Sequence, residues 1–138
     1  MTADEPGRLS VAILVHTIDD AGAPPLVTAR ALARSSYDVV HAFSPEDAWI
    51  ALRWQRRSGR PVVFTAAEPL ARDRLADRRL RLRAVRAAVE DSDAVIAPSD
   101  ELAGLVSRWL AVQADTVDAR DAAAHERLYR EVIARRSR

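Results

Sequence analysis

The chain has 138 residues, 49% hydrophobic and 30% charged, with a net charge of +1. That is the balance of one soluble globular domain, with core enough for a single sheet and its helices. Cysteine is absent and every basic residue is arginine, which excludes disulfides, thiolate metal sites, a P-loop lysine and a Schiff base.

The first ten residues, with Asp4, Glu5, Pro6 and Gly7, lack the basic start and apolar middle of a signal peptide. Residues 1–9 read as a flexible lead-in to a single domain spanning 1–138. No apolar run approaches the ~20 residues that cross a bilayer, so a cytoplasmic location is expected.

Residues 11–15 form the first apolar run, and 24–35 follow with helical spacing through Leu26, Val27, Ala29, Ala31 and Leu32. The stretch from Tyr37 to Asp47 then packs three signals together. Residues 38–43 are apolar, rich in β-branched side chains and too short for a helix, so they read as a buried strand. Ser44 suits a helix cap, Pro45 the first helical turn and Asp47 the capping-box acid, so a helix opens at once. Its periodic residues, Ala48, Trp49, Leu52 and Trp54, give way to Gly59, a helix stop. Residues 62–64 and 94–97 are two further apolar runs, each followed by a helical segment. Those segments cover 69–90 and, capped by Ser99, continue to Leu110. Asp121 opens a last helix with Leu128, Tyr129, Val132 and Ile133, and Thr116 and Val117 offer a fifth, edge strand.

None of the four apolar runs alternates with polar residues, so neither face of the sheet is wet. The fold class expected is α/β: a single Rossmann-like domain, its parallel sheet of four or five strands covered by helices on both faces.

In such a fold ligands gather where strands end. The turns there hold His16, Thr17, Asp19 and Asp20, then Ser44, Glu46 and Asp47, then Thr65 and Glu68, then Ser99, Asp100 and Glu101. Hydroxyls and carboxylates suit polyols or sugars, whereas no arginine stands there to balance a phosphate. The chain also lacks G-x-G-x-x-G, so no dinucleotide cofactor is expected. The acids have a plainer use at helix starts, where each stabilises by ~0.3–1 kcal/mol. His41, inside an apolar strand, reads first as a hydrogen-bonded core residue and second as a base. His125 reads as solvated, and the three histidines have no metal-ligand spacing. Asp19 and Asp20 would suit a phospho-accepting receiver, but Phe43 and Ser44 stand where its aspartate belongs, and its lysine is absent.

Arg72, Arg74, Arg78, Arg79, Arg81, Arg83 and Arg86 crowd one helical segment. An apolar stripe of Ala71, Leu75, Leu82, Val85 and Val89 opposes Arg72, Arg79, Arg83 and Arg86. That geometry suits peripheral contact with an anionic membrane, but a solvated outer face is the favoured reading, because the stripe is only as wide as core packing requires and no aromatic residue anchors it. Stacking aromatics do not interleave these arginines, so nucleic acid is not expected as a partner.

Three segments together carry a resemblance: Asp38-Val39-Val40-His41-Ala42-Phe43-Ser44-Pro45, Arg60-Pro61-Val62-Val63-Phe64-Thr65-Ala66-Ala67-Glu68 and Ser92-Asp93-Ala94-Val95-Ile96-Ala97-Pro98-Ser99. In order and spacing they resemble the N-terminal half of family 4 glycosyltransferases, which have the two-domain GT-B fold. The likeness covers residues 37–110, with a softer match from His125 onward. It implies an acceptor-binding role, with His41, Ser44, Thr65, Glu68 and Ser99 along an interdomain face. Phe43 and Ala67 stand where that family carries histidines, and no glutamate has a second one eight positions away.

The leading expectation is therefore an acceptor-binding or accessory module, catalytically incomplete alone. It would be completed by a second glycosyltransferase subunit or by homodimerisation, and would take a sugar-containing small molecule. An alternative is a minimal glycosyltransferase or sugar-phosphate enzyme using His16, His41 and Glu68. A second alternative is a non-catalytic protein-interaction domain. The site residues expected are His41 and Glu68 as catalytic candidates and His16, Ser44, Thr65, Glu68 and Ser99 for ligand binding, with no metal and no cofactor.

Overall fold

The structure, a computed structural model, describes residues 8–14, 32–66 and 79–138. His16, Glu68, Arg72 and most of the helix expected over 24–35 lie outside the described residues, as does the start of the arginine-rich helix. Among the described residues nine elements follow in chain order: β1 (Val11–Leu14), β2 (Val39–Ala42), α1 (Pro45–Ser58), β3 (Val62–Thr65), α2 (Arg79–Asp91), β4 (Ala94–Ala97), α3 (Asp100–Leu110), β5 (Asp115–Thr116) and α4 (Ala122–Arg136).

The helix boundaries follow from local chemistry. Ser44 adopts extended backbone and its hydroxyl accepts the Asp47 N–H at 3.1 Å, while Pro45 fills the first turn. The Asp47 carboxylate closes the cap by accepting from the Ser44 hydroxyl at 3.0 Å, a variant of the expected box. At the far end Gly59 turns to φ 73, a left-handed conformation that glycine adopts without steric cost, and stops α1. Ser99 caps α3 through the Leu102 N–H, and Asp121 caps α4 through the Ala124 N–H. The expected edge strand is present, shifted by one residue to Asp115–Thr116, and the Val117 N–H still reaches the Ala97 carbonyl.

All five strands are parallel and lie in chain order, β1-β2-β3-β4-β5. When the chain always steps the same way, right-handed crossovers return on the same side of the sheet. The packing agrees. Val40, Val62, Phe64 and Val95 point to one face, under Leu52 and Trp54 of α1, Val85 and Val89 of α2, and Val106 of α3. Val39, Val63 and Ile96 point to the other face, which receives Tyr129 and Val132 of α4. Among the described residues, helices therefore cover both faces, α1, α2 and α3 on one and α4 on the other. Each tightly buried valine contributes ~1.5–3 kcal/mol of apolar transfer, so most of the stability rests in these two layers.

Two acids fix where strands begin. Asp38, just ahead of β2, accepts the Ser10 N–H at 3.0 Å beside β1. Asp93, just ahead of β4, accepts the Val62 N–H and the Gln55 amide, both at 2.8 Å, and an Arg136 N–H at 2.7 Å. That one carboxylate ties β3, α1 and α4 together. Among the described residues, no helix is long and apolar enough to cross a membrane.

Asp93→Ala should cost about 2–3 kcal/mol in urea unfolding, because it strands a strand N–H and frees the end of α4. Arg136→Ala, at a partly exposed position, should cost under ~1 kcal/mol.

Candidate functional site

Face two of the sheet, the side under α4, carries the unusual chemistry. Ile13, His41 and Val63 stand in one register row across β1, β2 and β3. Because side chains alternate along a strand, His41 and Phe43 fall on this same side, as does Thr65. Their rings stack with centroids 4.3 Å apart.

His41 is fully enclosed, with 0% exposure, and both ring nitrogens are occupied. Nδ1 lies 2.5 Å from the Tyr129 hydroxyl and Nε2 lies 2.5 Å from the Thr65 hydroxyl. A neutral imidazole has one donor and one acceptor nitrogen, and either hydroxyl can take either role, so the chain of three is satisfied in both tautomers. The His41 pKa, ordinarily 6.5, is lowered to about 3, chiefly by burial and then by nearby His125. Burial also raises the Tyr129 phenol above its ordinary value. His125 sits 5.9 Å from His41, ring to ring, so two histidines 84 positions apart in sequence meet in one aromatic cluster.

Beside that cluster opens a groove of about 510 Å³ between β1 and α4. Its walls include Val11, Ile13, Phe43, His125, Glu126 and Tyr129. Ile13, 59% exposed, forms an apolar floor, while Arg8 and Arg130 stand at the rim. Arg130 is paired with Glu126 at 3.0 Å. The volume falls within the ~300–1,000 Å³ common for small-molecule sites. His41 does not line the groove. Its neighbours Phe43, His125 and Tyr129 do.

The strand-exit candidates divide accordingly. His41 and Thr65 come together, in the sealed network rather than on a surface. Ser44 and Ser99 are part-buried helix caps at the ends of different strands. Asp100, beside Ser99, accepts from the Thr116 hydroxyl at 2.6 Å. His125, read as solvated, is instead half-buried in the groove wall, because the apolar side of α4 extends one turn back from Tyr129. The i,i+4 spacing of His125 and Tyr129 carried that signal.

The chain is a Rossmann-like α/β domain with a groove lined by aromatic rings. It belongs to the family 4 glycosyltransferases, whose family model, Glycosyltransferase Family 4, matches residues 14–119. No curated protein matches the chain at a significant level.

The buried imidazole sets a pH dependence. The unfolded chain gains a proton near pH 6.5, whereas the folded chain resists it until about pH 3. Protonation in that window favours unfolding, so stability is full above the window and falls as pH drops through it. From about pH 7.5 to about pH 5 the loss should be roughly 2 kcal/mol in urea titrations, and His41→Leu should remove most of that slope.

Proposed function

We propose that this domain is the acceptor side of a glycosyltransferase and does not transfer sugar by itself. The acceptor lies in the groove, its apolar ring face against Phe43 and His125 and its hydroxyls toward Glu126. His16, Ser44, Glu68 and Ser99 are the further residues proposed to contact the acceptor. Family membership supports the general class, and the observation that carries the incompleteness is the state of the helix N-termini.

Glycosyl transfer from a nucleotide donor needs groups that hold a departing phosphate. A helix N-terminus serves that purpose when its N–H groups are free and no acid competes. Here α1 starts with Ser44 as cap and Glu46 and Asp47 in its first turn. α3 starts with Ser99 as cap and Asp100 and Glu101 in its first turn. Each spends part of its positive end on its own chain and adds negative charge. A diphosphate would meet repulsion at both. On this reading the donor and its binding groups come from another domain or subunit, and neither the α1 nor the α3 N-terminus holds the diphosphate, with this module orienting the acceptor.

The test is to incubate the purified chain with nucleotide-sugars and mono- and oligosaccharide acceptors while following its methyl and aromatic resonances by NMR. Saccharides should shift Ile13, Phe43 and His125, nucleotide-sugars should leave the α1 and α3 N-termini unmoved, and no donor should be turned over. Turnover that His41→Ala or Glu68→Ala abolishes in a folded protein would establish the enzyme reading instead.

A further inference from the structure

The outer side of α1 and α2 carries a surface that the acceptor reading leaves unused. α1 packs directly against α2, and both lie on the same face of the sheet. Their inner sides, including Ala48, Leu52, Val85 and Val89, are spent on the core. Their outer sides expose Arg53, Arg56 and Arg57 on α1 and Arg83 and Arg86 on α2. None of these five forms an ion pair among the described residues. Trp49, one turn before Arg53 on the same outer side, is 45% exposed.

This basic layer is a segregation of charge, since the whole chain carries only +1. Among the described residues, exposed acids gather elsewhere, with Asp100, Glu101, Asp115, Asp118 and Asp121 near β5 and the ends of α3 and α4. On α1 and α2 the exposed acids are Glu46 at one end and Glu90 and Asp91 at the other.

We propose that the α1–α2 layer docks this domain on an anionic lipid bilayer. Two parallel helices side by side, each about 10 Å across, present a broad, shallow surface. Lipid headgroups match that shape and give each arginine a phosphate. Trp49 supplies an amphipathic ring of the kind that settles at headgroup depth. The apolar sides of both helices stay in the core, so contact is peripheral and reversible. An arginine surface could also attract nucleic acid, but a single exposed tryptophan gives no series of stacking platforms. The proposal stands independently of the acceptor reading.

Co-sedimentation of the full chain with vesicles tests it. Vesicles of phosphatidylcholine and phosphatidylglycerol in equal parts should carry the protein down, pure phosphatidylcholine should not, and added salt should release it. Each Arg→Gln change at 53, 57, 83 or 86 should lower partitioning about fivefold, and the four together by more than roughly 100-fold. Arg127→Gln/Arg135→Gln, on α4 across the sheet, should leave it unchanged. Brominated lipid should quench the wild-type tryptophan emission, and Trp49→Phe should remove most of that quenching. Circular dichroism confirms that each variant is folded. No binding to the mixed vesicles, equal binding to neutral ones, or equal loss from the α4 variant would overturn the proposal. So would displacement from vesicles by duplex DNA or a polyglutamate at lower concentration than the lipid.

Discussion

The carboxylate of Asp93 is the joint on which the arrangement turns. From one position ahead of β4 it holds the first N–H of β3, the Gln55 side chain of α1 and the Arg136 side chain of α4. It thereby links the sheet to helices on both of its faces. A partly buried carboxylate is tolerable because each of its oxygens has donors. Asp38 does a smaller version of the same task between β1 and β2. Both residues belong to the segments that resemble the glycosyltransferase family, where an acid invites a chemical reading. Here their work is register: each sets where a strand starts relative to its neighbour.

The same division between architecture and chemistry runs through the rest of face two. His41 carries the most perturbed ionisation among the described groups, yet burial makes it a neutral strut between Thr65 and Tyr129. The surface beside it is made by Phe43, His125 and Tyr129, which seal the strut on one side and line the groove on the other. Groove and network are therefore coupled through shared rings. A ligand pressing on Phe43 would press on the packing of His41.

Sequence carried the local features because local chemistry decides them. Ser44 with Pro45, Gly59, Ser99 and Asp121 each set a helix end through contacts a few residues away. The apolar runs located four strands for the same reason. Less legible was anything decided across the chain. The hydroxyl of Tyr129 finds His41 over 88 positions, and no periodicity announces which strand a helix will cover. Trp49 and Trp54 share one helix and one residue type, yet Trp49 is largely exposed and Trp54 is buried, since only the side facing the sheet is fixed by packing. Likewise the strand order, and with it the placing of α1, α2 and α3 on one face, depends on crossovers that the pattern of runs does not encode.

That strand order has a consequence for how the molecule is made. Because β1 to β5 line up as they are translated, each new strand docks on the edge left by the previous one. Most of the sheet can thus assemble progressively at the ribosome through contacts of short sequence separation, which form fast. Face two is the exception. Among the described residues its helical cover is α4, which emerges after all five strands and must reach back to β2, so Val39, Val63 and Ile96 wait for that packing until then. A nascent chain halted before α4 would present an open apolar sheet face, the kind of surface that chaperones hold and that aggregates when they do not.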